Sequence, residues 1–148
     1  MKKAIAVFLL AVALILPLPA TAVAAPTSTN EYQLPYPGIL PSSPFYTLKI
    51  IRDKVSGFFI SDPLKKAEYA ISMADVRMSA AFALAEQKNN PTLAKTTISK
   101  AQDYLEEAAL NIKIAKAQGI NTQDILKRFK QAKLKHKEIL KQIEKENK

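Results

Sequence analysis

Few residues in this chain are equipped for chemistry. His136 is the only histidine and so the only ordinary base near neutral pH for a nucleophile to lean on. It falls on or beside the apolar stripe of a helical segment. That position suits a partly buried histidine satisfied by a neighbour across a bundle better than a catalytic one. Glu68, Ser72, Asp75 and Ser79 recur at helical spacing and form one polar stripe. Two carboxylates on one face could do acid–base work or hold a divalent cation. The plainer reading is an edge network, in which Arg52 or a lysine from another helix pairs with Glu68 or Asp75 and sets the register between helices. There is no cysteine, which excludes disulfides, thiolate metal sites and a cysteine nucleophile. No glycine-rich phosphate loop and no HExxH pattern occurs, so neither a catalytic residue nor a cofactor or metal site is expected.

Two groups could bind rather than react. Lys133, Lys137, Lys141 and Lys145 stand four residues apart and form a basic stripe within a lysine-rich last segment. Such a stripe could hold anionic lipid headgroups or an anionic envelope polymer by salt-sensitive attraction; it could equally be a solvated face, with Glu138, Glu144 and Glu146 nearby. No nucleic-acid partner is expected, because aromatic residues do not interleave with the lysines and the chain reads as exported. The aromatic group Tyr36, Phe45, Tyr46, Phe58 and Phe59 could receive a peptide, glycan or lipid, or it could plug one end of a bundle. Exposure decides between the two.

The elements that must position these residues follow from punctuation and periodicity. The chain has 148 residues and a net charge of +9, a size for one domain and a balance that favours anionic partners or solubility. Lys2 and Lys3, an apolar run from Ala4 to Leu18 and small residues at Ala22 and Ala24 read as a signal peptide over 1–24. Residues 25–35 read as a flexible spacer, and 36–148 as a helical-bundle domain. Within it, residues 36–41 form an extended arm carrying Pro37, Gly38 and Pro41.

Ser43 before Pro44 predicts the start of a short helix that ends near Gly57, with Phe45, Leu48, Ile51, Val55 and Phe58 on its apolar face. Asp62 before Pro63 starts a second helix, striped by Leu64, Ala67, Ile71, Ala74, Met78, Phe82 and Ala85. Asn90 before Pro91 starts a third, striped by Ile98, Ala101, Leu105, Ala108, Ile112 and Ala115, which stops at Gly119. Asn121 then caps a fourth, carrying Ile125, Phe129, Ala132, Ile139 and Ile143. The predicted fold is all-α: an antiparallel bundle of three long helices, with one short N-terminal helix and an extended N-terminal arm. The many alanines should let the helices approach closely.

The arm and first turns carry a resemblance. Tyr36, Pro37, Gly38, Leu40, Pro41, Ser43, Pro44, Phe45, Tyr46, Leu48, Lys49 and Arg52, followed by Asp62, Pro63 and the run Lys65 to Glu68, resemble the signature of a family of exported bacterial helical domains that is itself classed as of unknown function. The match continues more weakly through Ala74, Asp75, Arg77 and Met78. Ser42 stands where the family commonly has Asp. The resemblance implies an exported, envelope-associated helical domain and brings no catalytic residues with it. The expectation is therefore a non-enzymatic exported module, periplasmic, cell-surface or extracellular, that binds an anionic surface or an envelope protein. The alternatives are a partner-binding or sensory domain using the aromatic end and, behind it, a hydrolase or metal-binding protein using Glu68, Asp75 or His136.

Overall fold

Proline-led caps open two of the three long helices. Asp62 accepts the Lys65 backbone N–H at 2.8 Å and Asn90 accepts that of Leu93 at 2.9 Å, each with proline next in the chain, where a missing N–H loses nothing. A computed structural model describes residues 31–87 and 90–146; the expected signal peptide and most of the expected spacer lie outside them. The described residues are all-helical, with four helices and no strands: α1 Tyr46–Phe58, α2 Pro63–Glu86, α3 Pro91–Ala117 and α4 Gln123–Glu146.

α1 begins later than Ser43 implies. The Ser43 hydroxyl accepts the Phe45 N–H at 3.3 Å and its carbonyl accepts that of Tyr46 at 3.1 Å, so residues 43–45 form a turn and the helix proper starts at Tyr46. α3 ends as its glycine predicts. Gly119 takes a φ of 76°, and the Ile120 N–H reaches back to the Ala115 carbonyl at 3.0 Å, closing the last turn. Asn121 then accepts the Gln123 N–H at 3.0 Å at the entrance to α4.

Alanine sets how the helices meet. Ala94, Ala101, Ala108 and Ala115 recur every seven residues along α3 and are all buried, as are Ala67, Ala74 and Ala81 along α2. Side chains this short let α2 and α3 pack as the most closely associated pair. One apolar cluster joins Ala67, Ala70 and Ile71 of α2 to Ala108 and Ile112 of α3 and to Ile125 and Ala132 of α4. A second joins Met78 and Ala85 to Ala101, Ile139 and Ile143. The first half of α2 thus meets the second half of α3 and the first half of α4. α2 is buried over more than half of its circumference, since Ala70, Ile71, Asp75, Arg77, Met78 and Ala80 point in different directions at about 100° per residue, and the side carrying Lys65, Glu68 and Glu86 is exposed.

The chain is already packed ahead of α1. Tyr32 lies against the first cluster and Leu34 against the second, while Ser79 donates to the Pro35 carbonyl at 2.7 Å. At the end of the spacer expected over 25–35, a tyrosine and a leucine two residues apart, on a chain without helix, reach the same side and are partly buried against the helices. Residues Tyr32–Lys148 form one compact unit.

Gly119→Ala should lower stability by about 1 kcal/mol, because an L side chain is strained at positive φ although the added methyl meets no neighbour within 4 Å. Urea unfolding followed by circular dichroism measures it.

Candidate functional site

α1 is amphipathic, and it lies with its polar side inward. Tyr46, Lys49 and Asp53 are its buried residues. Arg77 of α2 is the reason: its side chain is 4 % exposed, with Nη2 3.5 Å from the equally buried Asp53 carboxylate and Nη1 donating to the Tyr46 hydroxyl at 2.7 Å. The guanidinium carbon also lies 5.3 Å from the centre of the Tyr46 ring. Lys49 Nζ donates to the Pro37 carbonyl at 2.6 Å, tying the N-terminal segment to α1. Burial, followed by the Arg77 charge, pushes the Lys49 pKa below the usual lysine value. Tyr69 donates to the Asp53 backbone carbonyl, and its ring packs so close to Gly57 that a Cβ there would stand 3.0 Å from it.

The opposite side of α1 faces solvent and is apolar. Leu48 is 67 % exposed and Phe58 84 %, with Ile51 and Val55 exposed between them and Phe45 and Phe59 extending the strip at either end. The stripe expected to face the bundle is thus inverted. An apolar face inward would have left Arg77 buried without a counter-charge, a larger penalty than exposing aliphatic and aromatic groups. The plug is overturned with it: of the five aromatic residues only Tyr46 is buried, and Tyr36, Phe45, Phe58 and Phe59 are open. Phe58 and Phe59 meet edge to face, with ring centres 5.7 Å apart.

A second buried network lies on another side of α2. Asp75 accepts from the Tyr32 hydroxyl, and its other oxygen is 2.9 Å from Nε2 of His136 on α4. With a carboxylate facing Nε2, that nitrogen carries the proton, and the buried Nδ1 has no hydrogen-bond partner among the described residues. The edge network expected around Asp75 therefore exists with different members. Arg52 pairs with Asp53 at 2.8 Å instead of with Glu68 or Asp75, and Glu68 is exposed. Ser72 accepts from Arg128 of α4 at 2.9 Å and donates to the Glu68 carbonyl. Among the described residues no hydroxyl is hydrogen-bonded to His136 Nδ1, and the His136–Asp75 contact joins α4 to α2. Among the described residues no group of three or more His, Asp or Glu side chains is arranged to hold a metal ion. Two shallow recesses flank Pro35: one of about 340 Å³ beside Tyr32 and Arg128, and one of about 380 Å³ between Leu34, Phe82 and Ile139.

Lys133, Lys137, Lys141 and Lys145 are exposed, with the Lys133 ammonium 5.6 Å from the centre of the Phe129 ring. The residues missing from the expected site are Lys49, Asp53 and Tyr32. Lys49 and Asp53 share a helical face with Tyr46 as regularly as the apolar residues opposite them, whereas Tyr32 has no such signal.

A family model described as a domain of unknown function, DUF5667, matches residues 38–148. No curated protein and no solved structure matches the chain.

Arg77→Met should cost about 3 kcal/mol by leaving the buried Asp53 carboxylate with Arg52 alone and the Tyr46 hydroxyl without its donor, and adding Asp53→Leu should recover part of it, which a double-mutant cycle in urea measures. The Tyr32 hydroxyl is pushed up to about 12 by burial first and by Asp75 second, with Arg128 opposing. Its folded value lies above the ordinary 10.0, so its contribution to stability is complete below pH 10 and is lost as pH rises through about 12. Tyrosinate absorbance should show a last ionisation phase that Tyr32→Phe removes.

Proposed function

The chain belongs to the DUF5667 family, a domain of unknown function, and we propose that it is a non-enzymatic, exported bacterial module of the cell envelope that acts by docking through the solvent-facing apolar side of α1. In this reading the three long helices run as an antiparallel up-and-down bundle, residues 36–41 are an arm across it, and the bundle is a rigid mount for α1. One observation carries the reading: the apolar strip Leu48, Ile51, Val55 and Phe58 is exposed on a helix whose opposite face is fixed by buried ion pairing. A contiguous apolar strip left in water is a feature of contact surfaces. Because α1 is anchored through Asp53 and Lys49, the strip needs no rearrangement to be available.

A second reading has its own support. Lys133, Lys137, Lys141 and Lys145 are all exposed along α4, as a surface for an anionic envelope polymer or for lipid headgroups would require.

Sedimentation of the purified chain with isolated envelope fractions tests both. Leu48→Ala with Phe58→Ala should reduce envelope binding about tenfold while changing unfolding stability by no more than about 0.5 kcal/mol, since neither side chain is buried. Binding unchanged in that variant, but lost when the four lysines become Gln, would move the contact to α4.

A further inference from the structure

We propose that the occupant of the α1 face is an anionic lipid surface, entered by Phe45, Leu48, Ile51, Val55, Phe58 and Phe59 and held at its rims by Arg52 and Lys54. The inference rests on the docking reading above and names what docks.

Charge on the rims selects the occupant. Leu48, Ile51, Val55 and Phe58 lie three and four residues apart and define one side of a helix about 20 Å long. Arg52 follows Ile51 by one residue and Lys54 precedes Val55 by one. At about 100° per residue these steps place the two cations on opposite edges of the strip. Both are exposed; Arg52 keeps 72 % of its side chain in solvent even while paired with Asp53. The one carboxylate of α1, Asp53, is turned inward to Arg77, and the next in the chain, Asp62, caps α2. The strip is therefore apolar at the centre with a cation of α1 on each edge, Arg52 shared with the inward-turned Asp53, and α1 carries no exposed acid. That is the pattern of a helix lying in a bilayer interface, with apolar groups at the acyl boundary and cations at the phosphates.

A second copy of this chain fits poorly. A two-fold contact through this face would bring Arg52 and Lys54 of one copy against those of the other. The relief of the face points the same way. Its side chains are exposed and project from a convex helix, and a deformable acyl boundary accommodates such relief without a matching shape. Among the described residues no helix is long and apolar enough to cross a membrane, and in this proposal α1 lies in the interface.

The test uses residues 25–148, which keep the whole compact unit Tyr32–Lys148 and omit the apolar run of 4–18 that would itself enter lipid. The chain is sedimented with phosphatidylcholine vesicles, with and without phosphatidylglycerol. Wild type should pellet with the phosphatidylglycerol vesicles. Leu48→Asp with Val55→Asp should weaken that binding about tenfold or more, Lys54→Glu with Arg52→Gln should weaken it in a salt-dependent way, and the four-lysine Gln variant of α4 should retain most of it. Melting followed by circular dichroism verifies folding, and Leu48→Ser with Val55→Ser replaces the Asp pair if that pair unfolds the chain. Three results overturn the proposal: no binding to phosphatidylglycerol vesicles, binding lost only in the α4 variant, or a dimer in sedimentation equilibrium that the α1 variant splits. The two levels separate cleanly. Envelope binding that needs the α1 face without any vesicle binding rejects lipid and keeps docking, whereas envelope binding indifferent to the α1 face rejects docking itself.

Discussion

Two buried charges of opposite sign, two residues apart on α2, govern where the other elements sit. Asp75 and Arg77 differ by about 200° around the helix, so no single neighbour can neutralise both. Each is almost fully buried, and a buried charge left alone would be strongly destabilising. Asp75 is met by His136 from α4 and by Tyr32 from the N-terminal segment. Arg77 is met from another side by Asp53 and Tyr46 of α1. The orientation of α1 follows from the second demand: with Asp53 and Tyr46 turned inward, Leu48 and Val55 have nowhere to face but water.

Alanine packing makes such pairs informative. Ala94, Ala101, Ala108 and Ala115 present the same small profile every seven residues, so a slide of one heptad along α3 would leave the shape of the contact nearly unchanged. Few large side chains oppose such a slide; Ile71 and Met78 are the largest that are fully buried. The buried polar contacts of α2 cannot be moved by a heptad without separation. They hold the registers of α1, through Asp53, and of α4, through His136, while α3 is placed by apolar contact.

Much of this was legible in the sequence where local chemistry decides. Asp62 before Pro63, Asn90 before Pro91 and Gly119 mark helix ends through backbone hydrogen bonds and φ, which depend on neighbours in the chain alone. The burial of His136 could likewise be read from its place beside Ile139 and Ala132. The facing of α1 could not, because an amphipathic pattern says that a helix has two sides and leaves open which one turns inward. That choice was made by Arg77, nineteen or more residues further along than any residue of α1, a distance no periodicity spans. Tyr32 was hidden for a different reason. It sits among polar residues with no period of its own, and its burial is imposed by a carboxylate on α2.

The fastening of the N-terminal segment also has a mechanical meaning. Between residues 32 and 39 the chain is pinned in order to Asp75, Ser79 and Lys49. Tension arriving from the N-terminal side therefore meets the Tyr32 to Asp75 contact, and passes through it into α2 and α4, before it reaches the tie to Lys49. The tie to α1, through Lys49, is the last of the three, so α1 is loaded only after the contacts to α2. A module held from its N-terminal side can be pulled without its α1 face being the first part to give way.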